Sequence, residues 1–266
     1  STSIMVVLFA WVIAHSSWRF TMAASGIIAI IVAFIVFFFV RDKPQGETNI
    51  GLSKNSVLSQ LAMVFGNKDV WICGIFGFSS FSFLTVFASL WGEPFLMEVD
   101  GMSLHQATLA TSMTLIGIAI GGPFLGFISS TVCRRKPIMC ASMFIAFACS
   151  TILFTASNLN MFLIFLLILI CGIMCSSYIL CFAVAKEVTM RSVRGTAMAA
   201  TNLITMASAI VLQPAIGWLI HSNIGQLSQH INTTYRVALL LLPIGFLIAM
   251  VLSLFMQETF CRGIDD

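Results

Sequence analysis

Charged residues are scarce in this chain. Asp, Glu, Lys and Arg together make up 9% of its 266 residues, whereas 59% are apolar and the mean hydropathy is +1.03. Soluble domains carry charge on about a quarter of their residues. No water-soluble core could absorb so much apolar surface, so the composition excludes a soluble globular protein. The net charge of +3 does not indicate a nucleic-acid partner, because eleven of the thirteen basic residues lie in loops at one predicted membrane face.

Motifs for covalent chemistry and metal binding are also lacking. Six of the eight cysteines lie in apolar runs, and Cys133 and Cys261 lie on the side predicted below to be cytoplasmic. None falls in a predicted outer loop, so no disulfide framework is expected. No set of His, Cys, Asp and Glu has zinc-site spacing, and no nucleophile–base set or phosphate loop stands out. We therefore expect neither an enzyme nor a bound metal or cofactor.

Long apolar runs, in contrast, are abundant. Seven of them are close to the ~20 residues that an α-helix needs to cross a ~30 Å hydrocarbon core, and an eighth, Ile4–Ala14, is too short to span alone. The sequence therefore predicts an all-α polytopic membrane protein with seven complete transmembrane helices and a partial one. The seven runs are Phe20–Val40, Val70–Leu96, Ala107–Ser129, Pro137–Thr155, Met161–Val184, Thr196–Ile220 and Val237–Met256.

The thirteen Lys and Arg residues are divided unequally between alternate loops. Only Arg19 and Arg236 fall in one set of loops, and the other eleven fall in the other set. Because basic residues are retained on the cytoplasmic side, this split predicts the orientation, with a cytoplasmic C-terminus. We expect a cell membrane, of the bacterial inner-membrane type. The predicted cytoplasmic segments are 41–69, 130–136, 185–195 and the tail, and the predicted outer segments are 97–106, 156–160 and 221–236.

One break in the apolar pattern, 41–69, is long enough to link two domains. Within it, Val57, Leu61 and Val64 share one helical face with Leu58 and Phe65, which predicts a short helix. This helix lies either on the membrane surface or against the spans.

The opening run reads as the second half of a helix, so we expect the chain to be a fragment of a longer protein. The predicted domains are an N-terminal remnant (1–40), the linker (41–69), a six-span bundle (70–256) and a tail (257–266).

Polar residues inside the apolar runs form two narrow stripes. Each stripe falls within about 80° of a helix circumference, and each either lines a watery cavity or makes hydrogen bonds between helices. Glycines at GxxxG spacing on a third run predict a surface where a neighbouring helix approaches closely. The first stripe is Ser82, Thr85, Ser89 and Glu93; the second is Asn202, Thr205, Ala209 and Gln213; and the glycines are Gly117, Gly121, Gly122 and Gly126.

Glu93 is the one acidic residue that the apolar runs place inside a span. A carboxylate partly shielded from water can take up a proton near neutral pH, which suits proton coupling. The alternative is a solvated carboxylate at the outer interface, and the neighbouring Trp91 favours it because Trp prefers that interface.

The segment from Gly122 to Pro137 resembles the signature between the eighth and ninth helices of the major facilitator superfamily. Gly126 and the basic run match that signature, whereas Ser130 stands where the family pattern has Asp. The run's partner could therefore be a helix C-terminus instead. Further matches support the resemblance: Trp18-Arg19, Arg41-Asp42-Lys43-Pro44, Arg194-Gly195-Thr196-Ala197 and Gln213-Pro214-x-x-Gly217. The motif residues are Gly126, Ser130, Arg134, Arg135 and Lys136.

The resemblance implies that the chain runs from the fifth helix of that fold to its twelfth and holds the whole C-terminal six-helix bundle. It also implies alternating access around a midplane site, with Val70–Leu96 and Met161–Val184 lining the cavity. Cys175 and Tyr178 are then further cavity residues. The runs Ala107–Ser129 and Thr196–Ile220 would form the seam with the other bundle. The expected seam residues are the four glycines, Asn202, Thr205 and Gln213.

The sequence and the resemblance together predict part of a secondary active transporter for a small organic solute, with proton symport as one option. The expected partners are that solute, protons, the lipid bilayer and the missing N-terminal bundle. Since the cavity runs carry no Lys or Arg, an anchor for phosphates is not expected in this half. The alternative is a truncated, non-transporting membrane protein or an interaction scaffold. An upstream reading frame encoding four more spans would favour transport.

Overall fold

The computed structural model describes residues 18–39, 57–224 and 231–260. The chain divides into two compact units, 1–54 and 55–266. In the first unit, the structure describes one helix, Trp18–Phe39, which is apolar along most of its length. The second unit contains every other described helix. The predicted partial helix 4–14 lies outside the described residues.

Every regular element among the described residues of the second unit is a helix. Its helices are Val57–Phe65, Lys68–Ser82, a π-helix Phe83–Trp91, Gly92–Asp100, Leu104–Val132, Lys136–Thr155, Met161–Cys175, Tyr178–Glu187, a 3₁₀ turn Arg191–Val193, Arg194–Ile224, Ile231–Leu239 and Leu241–Phe255.

Seven candidate membrane spans follow from these helices by length and composition, which confirms the all-α polytopic fold class. Several helices are longer than predicted; residues 231–236, for example, are helical rather than loop. We number the spans 1 to 7 in chain order: Met22–Phe39, Lys68–Asp100, Leu104–Val132, Lys136–Thr155, Met161–Glu187, Arg191–Ser222 and Asn232–Phe255.

Spans 2 to 7 pack in pairs around a core rich in phenylalanine. Span 3 lies against span 5, span 6 against span 2, and span 7 against span 4. The ring of Phe87 lies 4.8 Å from that of Phe83 and 5.6 Å from that of Phe154, measured between centroids. Phe95 and Phe246 extend the cluster. Offset and edge-on ring pairs of this kind add to the stabilisation that burial provides.

The glycines of span 3 contact span 5 of the same bundle. A Cβ atom built on Gly117 would lie 2.5 Å from the Leu169 carbonyl oxygen, and one built on Gly121 would overlap the Ile173 carbonyl. A Cβ on Gly122 would instead meet the end of the Ile179 side chain at 3.1 Å. The assignment of Gly117 and Gly121 to the seam between bundles is therefore wrong. Only glycine lets these two backbones approach so closely.

The predicted helix of the linker forms and packs against the spans. It runs from Val57 to Phe65, and Val64 is buried in a cluster with Val70 and Val193. The Thr196 hydroxyl donates a hydrogen bond to Gln60 Oε1 at 3.2 Å. Of the two alternatives for this helix, the structure supports packing against the spans for the face that carries Val64.

The connecting loops gather at two ends of the bundle. At one end, Asn67 Nδ2 donates to the Val188 carbonyl oxygen at 3.1 Å, and Arg135 contacts Glu187. At the other end, Arg236 Nη1 donates to the carbonyl oxygens of Phe154 and Ala156, at 3.0 and 2.6 Å. The loops predicted to be cytoplasmic thus share one end, and those predicted to be outer share the other.

The orientation of the bundle is testable by labelling single cysteines in a cysteine-free background. Asp100→Cys lies at the predicted outer end and Lys186→Cys at the predicted cytoplasmic end. We expect a membrane-impermeant maleimide to label position 100 in intact cells and position 186 only after permeabilisation. Labelling with the opposite accessibility would reverse the orientation.

Candidate solute cavity

A cavity of about 340 Å³ opens between spans 2, 3 and 6. The sequence-predicted residues Thr85, Ser89, Glu93 and Gln213 meet in its wall. Sequence reasoning missed the hydroxyls that span 3 adds, because no polar stripe was recognised there. These are Thr108, Thr111 and Ser112.

The part of span 2 that faces this cavity is π-helical, from Phe83 to Trp91. The Thr85 carbonyl oxygen accepts a hydrogen bond from Gln213 Nε2 at 2.6 Å and another from the Ser89 hydroxyl. The Thr85 hydroxyl lies 3.2 Å from Ser208 Oγ. π-helical turns are rare and occur frequently at functional sites. Here the wide turn and the Gln213 side chain join spans 2 and 6 at the cavity wall.

Ser82, predicted to line the cavity, does not do so. It is 1% exposed, and its hydroxyl donates to the Ser79 carbonyl oxygen at 2.6 Å. The prediction assumed α-helical geometry at 100° per residue. Because a π turn holds more residues than an α turn, a residue three positions before Thr85 lies farther around the helix than predicted. The correction therefore follows from the π-helix that begins at Phe83.

Glu93 follows the π-helix and is half-buried in the cavity wall. The neighbouring Trp91 side chain is directed toward span 6, where its Nε1 donates to the Gln213 carbonyl oxygen at 3.3 Å. A Cβ atom on Gly217 would lie 3.1 Å from the Trp91 ring. Trp91 is thus a packing residue between spans 2 and 6 rather than an exposed interfacial anchor.

The candidate cavity residues of span 5 lie apart from this cavity. Cys175 is 1% exposed in the core, and the Tyr178 ring packs 5.0 Å from that of Phe81. Between them the helix is interrupted at Ser176 and Ser177. The Ser177 hydroxyl is buried and has no hydrogen-bond partner among the residues that the structure describes.

The predicted seam residues of span 6 differ in exposure. Asn202 is exposed. Thr205, in contrast, is fully buried: its hydroxyl donates to the Thr201 carbonyl oxygen at 2.8 Å, and its side chain lies against Gly77 of span 2. Thr205 therefore packs inside the bundle rather than at a seam.

The basic loop after span 3 holds a charged cluster. Arg135 Nη2 lies 2.8 Å from Glu187 Oε1, and the two side chains are 11% and 13% exposed. The backbone N–H of Arg135 donates to Glu258 Oε1 at 2.7 Å, and its Nη1 donates to Ser129 Oγ at 3.0 Å. Sequence reasoning missed Glu187 and Glu258 as partners of Arg135. Both acids stand near predicted cytoplasmic loops, a signal that could have found them.

Other residues of the predicted loop motif differ from Arg135 in exposure or in packing. Ser130 and Arg134 are exposed. A Cβ atom added to Gly126 would have no described atom of a neighbouring element within 4 Å. Lys136 is the first residue of its helix. Within the described loop, Glu187 of span 5 provides a carboxylate that pairs with Arg135.

The family model for the Major Facilitator Superfamily matches residues 89–262. The chain belongs to this superfamily. The matched region covers the last part of span 2 and all of spans 3 to 7. The family that the loop after span 3 resembles is therefore confirmed as the family of this chain.

Among curated proteins, this chain is similar to a probable hexose phosphate transport protein of Chlamydia muridarum. The two are 26% identical over 162 residues, which cover 50% of this chain and 35% of that protein. It is also similar to the membrane sensor protein UhpC of Salmonella typhimurium, at 24% over 149 residues, 47% of this chain and 32% of that protein. The chain thus spans about a third of the length of these relatives.

A solved structure shows the same fold. It is a bacterial homolog of the human lysosomal transporter Spinster in an inward-facing, unoccupied conformation. The TM-score is 0.57 at 15% identity, and the match covers 96% of this chain and 63% of that one. At this identity the likeness concerns the fold alone.

Proposed function

We propose that the protein carrying this chain is a secondary transporter that moves a small polar organic solute by alternating access. The observation that carries the proposal is the cavity between spans 2, 3 and 6, where hydroxyls, an amide and the Glu93 carboxylate converge. Polar side chains within spans are costly in lipid, so their convergence on one cavity supports a solute pathway. The cell membrane and the cytoplasmic C-terminus remain part of this proposal.

The charge of the cavity bears on the solute. Among its described lining residues Glu93 is the charged group, and none is Lys or Arg. Two relatives carry names that refer to hexose phosphate or to sensing. A phosphate group is commonly bound by Arg or Lys, which this cavity does not offer. We therefore propose that this half binds hydroxyl groups or a cation of the solute.

The exposed polar and small residues of spans 3 and 6 are proposed to face a second bundle. Asn202 is exposed on span 6, and Gly126 has open space around it on span 3. A Cβ atom on Gly122 would meet only the end of the Ile179 side chain among the described neighbours within 4 Å. These three positions, unlike Gly117, Gly121 and Thr205, leave room for a helix from outside the bundle to approach.

Proton coupling through Glu93 is tested by Glu93→Gln in the full-length protein, reconstituted in vesicles. The amide mimics the protonated carboxyl, so we expect solute exchange to persist and uphill uptake driven by a proton gradient to be lost. The two rates are measured with radiolabelled candidate solutes, starting with neutral sugars. Glu98→Gln is the matched control, because Glu98 is exposed on the same helix and lies outside the cavity lining.

Two outcomes would change the proposal. Uphill uptake that is unimpaired in Glu93→Gln would remove Glu93 from the coupling step, though not from solute binding. The absence of any solute movement in the wild-type protein would favour a non-transporting membrane protein. The similarity to a protein named as a membrane sensor favours one such function, which is solute binding without translocation.

A further inference from the structure

A groove of about 720 Å³ lies between spans 4 and 7 at the predicted cytoplasmic end of the bundle. It is separate from the solute cavity, which lies between spans 2, 3 and 6. Its floor is apolar, with Phe144 of span 4 and Met250 and Leu254 of span 7 among its lining residues. Phe144 and Leu254 are 57% and 51% exposed, as expected of side chains that face lipid.

The mouth of this groove is basic. Both Arg134, two residues before span 4, and Lys136, its first residue, line the groove. The Arg134 guanidinium carbon lies 5.9 Å from the centroid of the Phe260 ring, which favours an ordered position for that charge.

One acidic residue, Glu258, also lines the groove. Its Oε1 atom accepts the backbone N–H of Arg135 at 2.7 Å, which directs that carboxylate oxygen toward the loop. The two cations of the mouth are absent from the hydrogen-bonded cluster of Arg135 and Glu187. The groove thus has a net positive mouth above an apolar floor.

The dimensions of the groove match an amphiphile. From Lys136 to Phe144 a helix rises about 12 Å, so the groove extends from the interface well into the hydrocarbon layer. A free anion would use only the mouth, and an uncharged apolar molecule only the floor. We propose that this groove binds an anionic phospholipid, with its phosphate between Arg134 and Lys136 and an acyl chain along Phe144 and Leu254.

The test measures lipid retention by the purified 266-residue chain, using native mass spectrometry. Dioleoyl-phosphatidylglycerol is the probe, and dioleoyl-phosphatidylcholine is the zwitterionic comparison. The variant Arg134→Gln/Lys136→Gln should bind the anionic lipid about 10- to 30-fold more weakly, because each of the two basic residues near the headgroup contributes a factor of about three to five to the affinity. The control Lys68→Gln/Lys186→Gln removes two exposed cations of the same membrane face outside the groove and should bind within about twofold of the wild type.

A second variant tests the apolar part without changing charge. Ala141 is exposed in the groove, and Ala141→Trp would fill the path of the acyl chain, so retention of phosphatidylglycerol should fall. Equal retention of both lipids by the wild type would overturn the proposal, and this result does not depend on any variant folding. Unchanged binding in the Arg134/Lys136 variant would also overturn it, as would equally tight binding of soluble glycerophosphoglycerol.

Discussion

Gly117→Ala is expected to destabilise the bundle by about 3 kcal/mol, the cost of overpacking a contact that cannot relax. A Cβ atom at this position would lie 2.5 Å from the Leu169 carbonyl oxygen, 2.8 Å from the Ile173 backbone nitrogen and 2.9 Å from Gly172 Cα. All three atoms belong to the backbone of span 5, so no side-chain rotation can make room. The free energy of unfolding, measured in mixed micelles of mild detergent and dodecyl sulfate, reports this cost.

Gly126→Ala is the matched control, because it is the same substitution on the same helix with no described neighbouring atom within 4 Å of the added carbon. It should be neutral or stabilise by up to about 1 kcal/mol, since alanine is the better helix former. The two variants share that propensity gain, so their difference isolates the contact with span 5. Equal unfolding free energies for Gly117→Ala and Gly126→Ala would show that spans 3 and 5 do not approach as closely as described.

The spans and their connecting loops could be predicted because a bilayer imposes a length and a composition on each helix. About twenty apolar residues are enough to indicate a span, whatever its neighbours are. The alternation of basic loops similarly predicted which loops share an end, and Arg135 and Glu187 do meet there. The short helix at Val57–Phe65 was visible from its spacing of apolar residues, whereas its contact with Val193 was not.

The contacts between helices could not be read from single-helix patterns. The GxxxG spacing located a close approach, but nothing in it distinguishes span 5 from a helix of another bundle as the partner of Gly117. The predicted stripe through Thr85 and Ser89 assumed an α-helix, whereas the π-helix changes which residues of span 2 share a face. Ser82 was misplaced for that reason, since the spacing of the polar residues alone does not indicate a π-helix.

Glu187→Ala is expected to destabilise the bundle by about 3 kcal/mol, because it leaves the Arg135 guanidinium mostly buried without its carboxylate. The two side chains are 11% and 13% exposed, and two hydrogen bonds join them, Nη2 to Oε1 at 2.8 Å and Nε to Oε2 at 3.4 Å. Glu187 Oε2 also accepts the Thr259 hydroxyl. Thermal unfolding in mild detergent gives the loss, and Glu98→Ala, an exposed acid at the other end, should change stability by less than about 0.5 kcal/mol.

A double-mutant cycle tests whether Arg135 and Glu187 stabilise the bundle as an interacting pair or independently. Arg135→Ala removes the cation, so a second substitution of Glu187 should then cost less than it does in the wild type, with a coupling of about 1 to 3 kcal/mol. Glu258→Ala should cost less than Glu187→Ala, because Glu258 accepts a backbone N–H of Arg135 rather than its charged group. Strictly additive losses would mean that Arg135 and Glu187 stabilise this end of the bundle separately. Non-additive losses would make this pair a link between the loop after span 3 and the end of span 5.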